Sequence, residues 1–311
     1  FEGFIDNCLT EFDRDLINIP ILAIFYDLIP LLNPKLYLEP NQSFSLFYAE
    51  KIDNLKSLDG LLAISSSSYQ EAIKYLGFNR TKVHNISSAC DFSIFTEDID
   101  EDFLSKNPQI NDLKPFILYT GANDPRKNLK RLFQAYSQLP FDILLDYKLV
   151  LAGKLLEQEL SQINQWIEIF NIDREKVIFL GYVTDQMLVN LYQQCSLFVF
   201  PSLHEGFGLP VLEAMSCGAP SIGSNCTSIK EVISSKDAMF DPNNVNDIRD
   251  LIQKALTDLD YKEFLRSNGK VQIKRFSWSH TSRLAIKACK ECEVVFNAQQ
   301  NMYDIESMND N

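Results

Sequence analysis

The residues from Phe200 to Glu213, FPSLHEGFGLPVLE, follow an apolar run and set Glu205, Gly206 and Gly208 in a loop ahead of a helical segment that carries Glu213 in its first turn. Glycines let a backbone approach a ligand closely, and the N–H groups of a helix start favour phosphate. Two carboxylates beside a phosphate need another task, and hydrogen bonding to sugar hydroxyls supplies one. The residues from Gly121 to Asn128, GANDPRKN, also follow an apolar run and bring Arg126 and Lys127 to the start of the next helix. Cations there are disfavoured by the helix dipole unless an anion lies close. A diphosphate would need such a local basic cluster. Taken singly, the glycine-rich turn reads first as an ordinary strand–loop–helix turn with surface acids, and a solvated loop with surface cations is the minority alternative for the basic stretch; the inference rests on the combination.

Charge makes the cluster matter. The 311 residues include 29 Lys and Arg against 42 Asp and Glu, a formal charge of −13. Such a chain is repelled by nucleic acid and by anionic membrane surfaces, so an anionic ligand has to meet local positive charge. A composition 46% hydrophobic and 23% charged, with 11 Gly and 12 Pro, is that of a globular chain rather than a disordered or collagen-like one. Seven Cys, an odd number, fit a reducing compartment better than a disulfide framework. The run at 19–32 is bracketed by Pro20 and Pro30, holds Asp27, and is too short to span a bilayer. Phe1-Glu2-Gly3-Phe4 lacks the basic start of a signal peptide. The expected location is cytoplasmic, with peripheral association at the inner membrane face as an option.

Those motifs have to be held by strand ends. Apolar runs at 116–120, 148–153, 177–181, 197–201 and 220–223 read as buried strands, with helices expected at 128–138, 157–170, 184–194 and 210–217. Short apolar strands alternating with helices mean a parallel sheet covered on both faces. In the first third, strands are expected at 21–25, 60–65 and 83–86, with helices at 41–58 and 68–76. The acidic, polar stretch 97–114 suits a linker, a last helix is expected to about 295, and 297–311 reads as a disordered tail.

On these residues the sequence resembles the retaining glycosyltransferases of family 4. Their Glu-x7-Glu motif matches Glu205 and Glu213 in a Pro-Ser-x-x-Glu-Gly-Phe-Gly-Leu-Pro setting; their Arg-Lys-Asn segment matches Arg126, Lys127 and Asn128. Asp27-Leu28-Ile29-Pro30 is similar to their cleft segment. The resemblance implies an α/β fold of two Rossmann-like domains facing a cleft, the B-type architecture. It also implies a division into 1–112 as a partial acceptor-side domain and linker, 113–275 as the nucleotide-sugar domain, 276–296 as a helix returning to the first domain, and the tail. Lys127 and Arg126 are expected to bind the donor diphosphate and aid its departure, with Glu205 on the donor sugar and Glu213 on the ribose. Gly206, Phe207, Gly208 and Leu209 would meet sugar and phosphate through their backbone. Gly181, Tyr182 and Val183 would frame the base, Gly121 and Lys154 would complete the donor site, and Asp27 would join the catalytic set. Mannose from GDP-mannose is the expected donor group, a glycan or lipid-linked glycan the acceptor, and bacterial surface polysaccharide or lipopolysaccharide the setting.

Two departures stand out. Ala122 follows Gly121 where many family members carry Arg, so Arg126 is expected to compensate. Only about 26 residues precede Asp27, against roughly a hundred in the family, so the first domain is expected to be incomplete. The chain then reads as a piece of a longer polymerising enzyme, partnered by the missing segment or a second transferase module. No cofactor and no metal are expected: Asp98-x-Asp100 and Asp258-x-Asp260 do not follow strands, and Cys289-x-x-Cys292 is half a zinc site at most. Competing readings are a B-type sugar-nucleotide epimerase and a catalytically silent module supporting a partner transferase.

Overall fold

A computed structural model describes residues 19–309, with side chains described through 298. The described residues divide into two compact units, 19–88 with 277–309 and 89–276. In the first unit, β1 (Leu22–Phe25), β2 (Gly60–Ala63) and β3 (Val83–Asn85) form a parallel three-stranded sheet in that order. The short helices α1 (Ile29–Leu32) and α2 (Pro34–Tyr37), then α3 (Gln42–Lys56), connect β1 to β2, and α4 (Ser66–Leu76) connects β2 to β3. Asn41 and Ser65 cap α3 and α4 by accepting from Phe44 N and Ser68 N, which is why those helices begin where they do. Phe25, Leu28, Tyr48, Ile52, Leu61 and Leu76 form the core of this unit.

The second unit opens with α5 (Glu101–Lys106) and α6 (Gln109–Leu113), then alternates strand and helix. Its elements are β4 (Phe116–Thr120), α7 (Leu129–Ser137), α8 (Phe141–Asp146), β5 (Lys148–Ala152), α9 (Glu157–Ile169), β6 (Val177–Gly181), α10 (Asp185–Gln194), β7 (Leu197–Phe200), α11 (Leu209–Ser216), β8 (Ser221–Ser224), α12 (Ile229–Ile233), β9 (Met239–Phe240), α13 (Val245–Thr257) and α14 (Leu259–Gln272). All six strands are parallel, in the order β6-β5-β4-β7-β8-β9. The central strands β4 and β7 are buried along their whole length. The strand order reverses between them, and in open parallel sheets ligands bind beyond the strand ends at such a point. Among the described residues no helix is long and apolar enough to cross a membrane.

Three expectations change. The acidic stretch 97–114 is not a linker: the units divide at Ser88 and Ala89, and the stretch packs on the second unit. Gln193 Nε2 donates to Asp98 O at 2.9 Å, Gln186 Nε2 donates to Asp100 Oδ2 at 2.9 Å, Lys270 Nζ lies 2.9 Å from Glu97 Oε2, and Ile110 is buried. The tail is not irregular either, because the last helix, α15, runs Trp278–Asn309. Beyond Gly269 the sequence has no Gly or Pro to stop it. Leu284, Ala285 and Ala288 of α15 pack against Leu22, Leu62 and Ile86 of the small sheet. Finally, Arg126 and Lys127 do not open a helix. They sit in a separate 3₁₀ turn, Pro125–Lys127, and α7 starts after Asn128, a left-handed residue with φ 60°.

Two glycines fix how closely the strand ends approach. Gly121 N donates to Ala152 O at 2.9 Å and Gly153 N donates to Gly181 O at 2.8 Å, tying the C-terminal ends of β4, β5 and β6 into a rim. Gly153 has φ +150°, and a Cβ there would lie 2.3 Å from the Gly121 carbonyl oxygen. Gly153→Ala should therefore cost more than about 2 kcal/mol of stability. Gly181 has φ +65° with nothing within 4 Å of an added Cβ, and Gly181→Asn should cost less than about 1 kcal/mol. Chemical denaturation of both variants measures the contrast.

Candidate functional site

The loops after β4 and β7 meet at the reversal point. Asp124 Oδ1 accepts from Arg126 N at 2.9 Å and so closes the 3₁₀ turn that carries both cations. Leu203 N donates to Arg126 O at 2.6 Å, and Asn128 Nδ2 donates to Pro201 O at 3.1 Å and to Pro242 O at 2.8 Å. The left-handed conformation of Asn128 aims its amide at the loops after β7 and β9; Asn tolerates that conformation better than most residues. Glu205 is held from the other side, its N–H donating to Thr227 Oγ1 at 3.1 Å and its carbonyl accepting from Ser228 Oγ at 2.8 Å.

These supports deliver an ion cluster. Lys127 Nζ lies 2.7 Å from Glu205 Oε1, and Arg126 Nη1 lies 2.8 Å from Glu205 Oε2. The two partners of the first pair are 78 residues apart in the chain. Arg126 also donates from Nη1 to His204 O at 3.1 Å and approaches Asp124 Oδ1 at 3.7 Å through Nε. Lys127 Nζ sits 4.9 Å from the centre of the Phe200 ring. Glu205 is only 8% exposed. Burial pushes its carboxyl up, but the Lys127 and Arg126 cations outweigh this and hold it below the usual range. Burial pushes the Lys127 ammonium down, and Glu205 reverses that only in part. The basic pair expected to await an anion is thus already balanced by Glu205 and Asp124.

Glu213 stands in a different environment, in the first turns of α11. Tyr192 OH donates to its Oε2 at 3.2 Å, and burial raises its pKa to about 7. The two carboxylates of the motif are thus pushed in opposite directions, Glu205 below the usual range by two cations and Glu213 above it by burial. Gly208, with φ +102°, turns the chain into α11. Gly206, Gly208 and Phe207 are buried, and the Phe207 ring stands edge-on to Phe276 at 5.5 Å. Leu209, Tyr182 and Lys154 are exposed, while Gly181 and Val183 are half-buried. Asp27 belongs to the first unit, where its Oδ1 accepts from Ile29 N at 2.9 Å. Thr227, Ser228 and Tyr192 escaped the sequence reading. Only their nearness to the motifs in chain order could have pointed to the first two, and nothing local marked Tyr192.

The acidic pairs set aside in the sequence serve as helix caps: Asp100 Oδ1 accepts from Phe103 N and Asp258 Oδ1 from Tyr261 N, each at 2.9 Å. Among the described residues no group of three or more His, Cys, Asp or Glu is gathered as metal ligands.

The model of the glycosyl transferases group 1 family matches residues 100–272, which contain every part of this rim. The chain belongs to that family. It is 42% identical over 290 residues to a serotype-specific mannosyltransferase WbdA of Escherichia coli, covering 92% of this chain and 35% of that protein. It is 34% identical over 256 residues to the O-antigen chain mannosyltransferase B of Escherichia coli, covering 78% of this chain and 64% of that one. The chain thus spans about a third of the length of the WbdA relative. Among solved structures, sucrose-phosphate synthase from Thermosynechococcus elongatus superposes with a TM-score of 0.73 at 23% identity, covering 92% of this chain and 70% of that one. Anabaena HepE in complex with UDP-glucose superposes with a TM-score of 0.70 at 20% identity, covering 86% and 71%. The fold is the parallel-sheet α/β fold of B-type glycosyltransferases.

Glu213 makes stability depend on pH. Its folded pKa of about 7 stands above the ordinary 4.5, so the protonated acid favours the folded state. That contribution is complete below pH 4.5 and is lost as the pH rises through about 7. Glu213→Gln imitates the neutral acid, so the loss of stability between about pH 5 and about pH 8 should be smaller in this variant than in the wild type. Denaturant midpoints across that range check it.

Proposed function

We propose that the chain is a retaining, metal-independent glycosyltransferase of family 4 that takes mannose from GDP-mannose and passes it to a glycan or lipid-linked glycan acceptor. The observation that carries the reading is the Lys127–Glu205–Arg126 cluster at the strand-order reversal, with the Gly206–Gly208 turn and the start of α11 beside it. In the reaction, the bond between the anomeric carbon and the diphosphate oxygen breaks and the diphosphate leaves with the electron pair. The acceptor hydroxyl forms the new bond on the same face of the sugar and gives up its proton. Lys127 and Arg126 neutralise the charge that grows on the departing oxygen, the service a metal ion renders in other transferases. Glu205 orients those two cations and contacts the donor sugar. Glu213 receives the ribose, Gly121 and Lys154 border the diphosphate, Gly181 to Val183 border the base, and Asp27 serves the acceptor side. Similarity to the two mannosyltransferases of Escherichia coli supports mannose as the sugar and O-antigen polysaccharide as the setting. Similarity in fold to HepE, which binds UDP-glucose, supports a nucleotide sugar as the class of donor. We place the work at the cytoplasmic side of the membrane, with a further transferase module of a longer chain as the partner.

Donor hydrolysis and transfer measured with a panel of nucleotide sugars tests the reading, and proton NMR of the product gives the anomeric configuration. GDP-mannose should be consumed in EDTA and the α-linkage retained; full dependence on added Mg²⁺ or Mn²⁺ would overturn the metal-independent step. Lys127→Ala should lower kcat by about 10²–10³-fold, on the order of 2–4 kcal/mol of barrier. Its unfolding midpoint should move little, because Arg126 still pairs Glu205 at 2.8 Å. Unchanged turnover in that variant would remove the diphosphate from this loop.

A further inference from the structure

Tyr192 lies on α10 and is fully buried, its ring edge-on to Phe198 at 5.3 Å and tilted against Phe95 at 6.4 Å. Phenylalanine would fill the same space without burying a hydroxyl, and a buried hydroxyl is costly unless it is hydrogen-bonded. The hydroxyl reaches two groups at the rim of the sheet. It donates to Glu213 Oε2 at 3.2 Å and lies 3.2 Å from Thr120 Oγ1, at the last residue of β4. With the Tyr192 proton given to Glu213, the Thr120 hydroxyl is the donor to Tyr192, so the chain of hydrogen bonds runs from Thr120 through Tyr192 to the carboxyl. Such a chain strengthens each link along its length. A glutamate side chain has several rotors, whereas a ring packed on two sides has almost none left. The Glu213 carboxyl is therefore held by a hydroxyl whose ring is packed on two sides.

We propose that Tyr192 is a positioning residue for ribose recognition: by engaging Glu213 Oε2 it fixes the carboxyl so that Oε1 accepts from a ribose hydroxyl of the nucleotide donor. The inference rests on the donor-site reading above. It assigns the discrimination between a ribonucleotide and a deoxyribonucleotide to a residue that touches neither sugar nor phosphate. Removing the hydroxyl should weaken binding of ligands that carry the ribose hydroxyl and leave unaffected those that lack it. A merely structural role would weaken both alike.

The test is calorimetric titration of the full chain with GDP, 2′-deoxy-GDP and 3′-deoxy-GDP. The wild type should bind GDP about tenfold more tightly than the weaker deoxy analogue, the worth of one hydrogen bond to a carboxylate. Tyr192→Phe should reduce that ratio to about threefold or less by weakening GDP alone. Glu213→Gln should reduce it likewise, and the double variant should lose nothing further, the signature of two residues acting through one contact. If thermal unfolding shows that Tyr192→Phe does not fold, Thr120→Val carries the test, with a smaller fall in the same direction. Wild-type discrimination in the folded variant, or equal binding of GDP and both analogues by the wild type, overturns the inference while the donor-site reading stands. Failure of the wild type to bind GDP or UDP at all overturns the donor-site reading, and this inference with it.

Discussion

The site depends on one carboxylate. Glu205 receives Lys127 at 2.7 Å and Arg126 at 2.8 Å, and it does so while almost entirely removed from solvent. Stripping three charged groups of water is expensive, and such a cluster repays that cost only when its geometry is tight and its remaining polar atoms are satisfied. The second unit meets the condition by bracing both loops. Asn128 ties the loop after β4 to those after β7 and β9, while Thr227 and Ser228 fix the Glu205 backbone from the loop after β8. The glycines at 121 and 153 bring the neighbouring strand ends close enough for the rim to close. Taking away Glu205 would leave two poorly hydrated cations facing each other, so the carboxylate is as much a condition of the loop's shape as a candidate for chemistry.

The same cluster revises the electrostatic argument made from composition. In a chain of net charge −13, Arg126 and Lys127 read as an island of positive charge. In the folded unit their charges are matched by Glu205 and Asp124. What the site presents is a pair of oriented cationic donors whose Coulomb field is largely spent locally. Attraction of an anion then rests on directed N–H groups at close range more than on long-range steering. Glu205 and Glu213 carry the complementary lesson. Eight residues apart and chemically identical, they are driven to opposite sides of the ordinary range, one by two adjacent cations and the other by burial, which the hydrogen bond from Tyr192 offsets only in part. A pair of titratable groups pushed apart in this way is a recurring mark of a functional site.

Much of the second unit was legible locally. Strands at 116–120, 177–181 and 197–200 announce themselves as short apolar runs, and Thr184 marks the start of α10 by capping Met187 N. Pro210 and the glycines around it mark α11 in the same way. The acidic stretch 97–114 misled because its helices are short and polar on their outer faces, and the contacts that attach it come from Gln186, Gln193 and Lys270, far along the chain. The segment after 297 misled because polarity was taken for disorder, whereas the absence of Gly and Pro lets the helix that begins at Trp278 continue.

By itself the sequence determined the fold class, the strand ends from which the loops spring, and the residue types set in them, since each follows from periodicity and turn chemistry within a few residues. Tertiary structure alone decided that Lys127 and Glu205 meet, that the basic pair is internally balanced, and that Glu213 is governed by a tyrosine on another helix. The reason is that strand order sets these contacts. Because β4 and β7 are neighbours in the sheet while lying far apart in the chain, the groups that define the site interact across a boundary that no local pattern encodes.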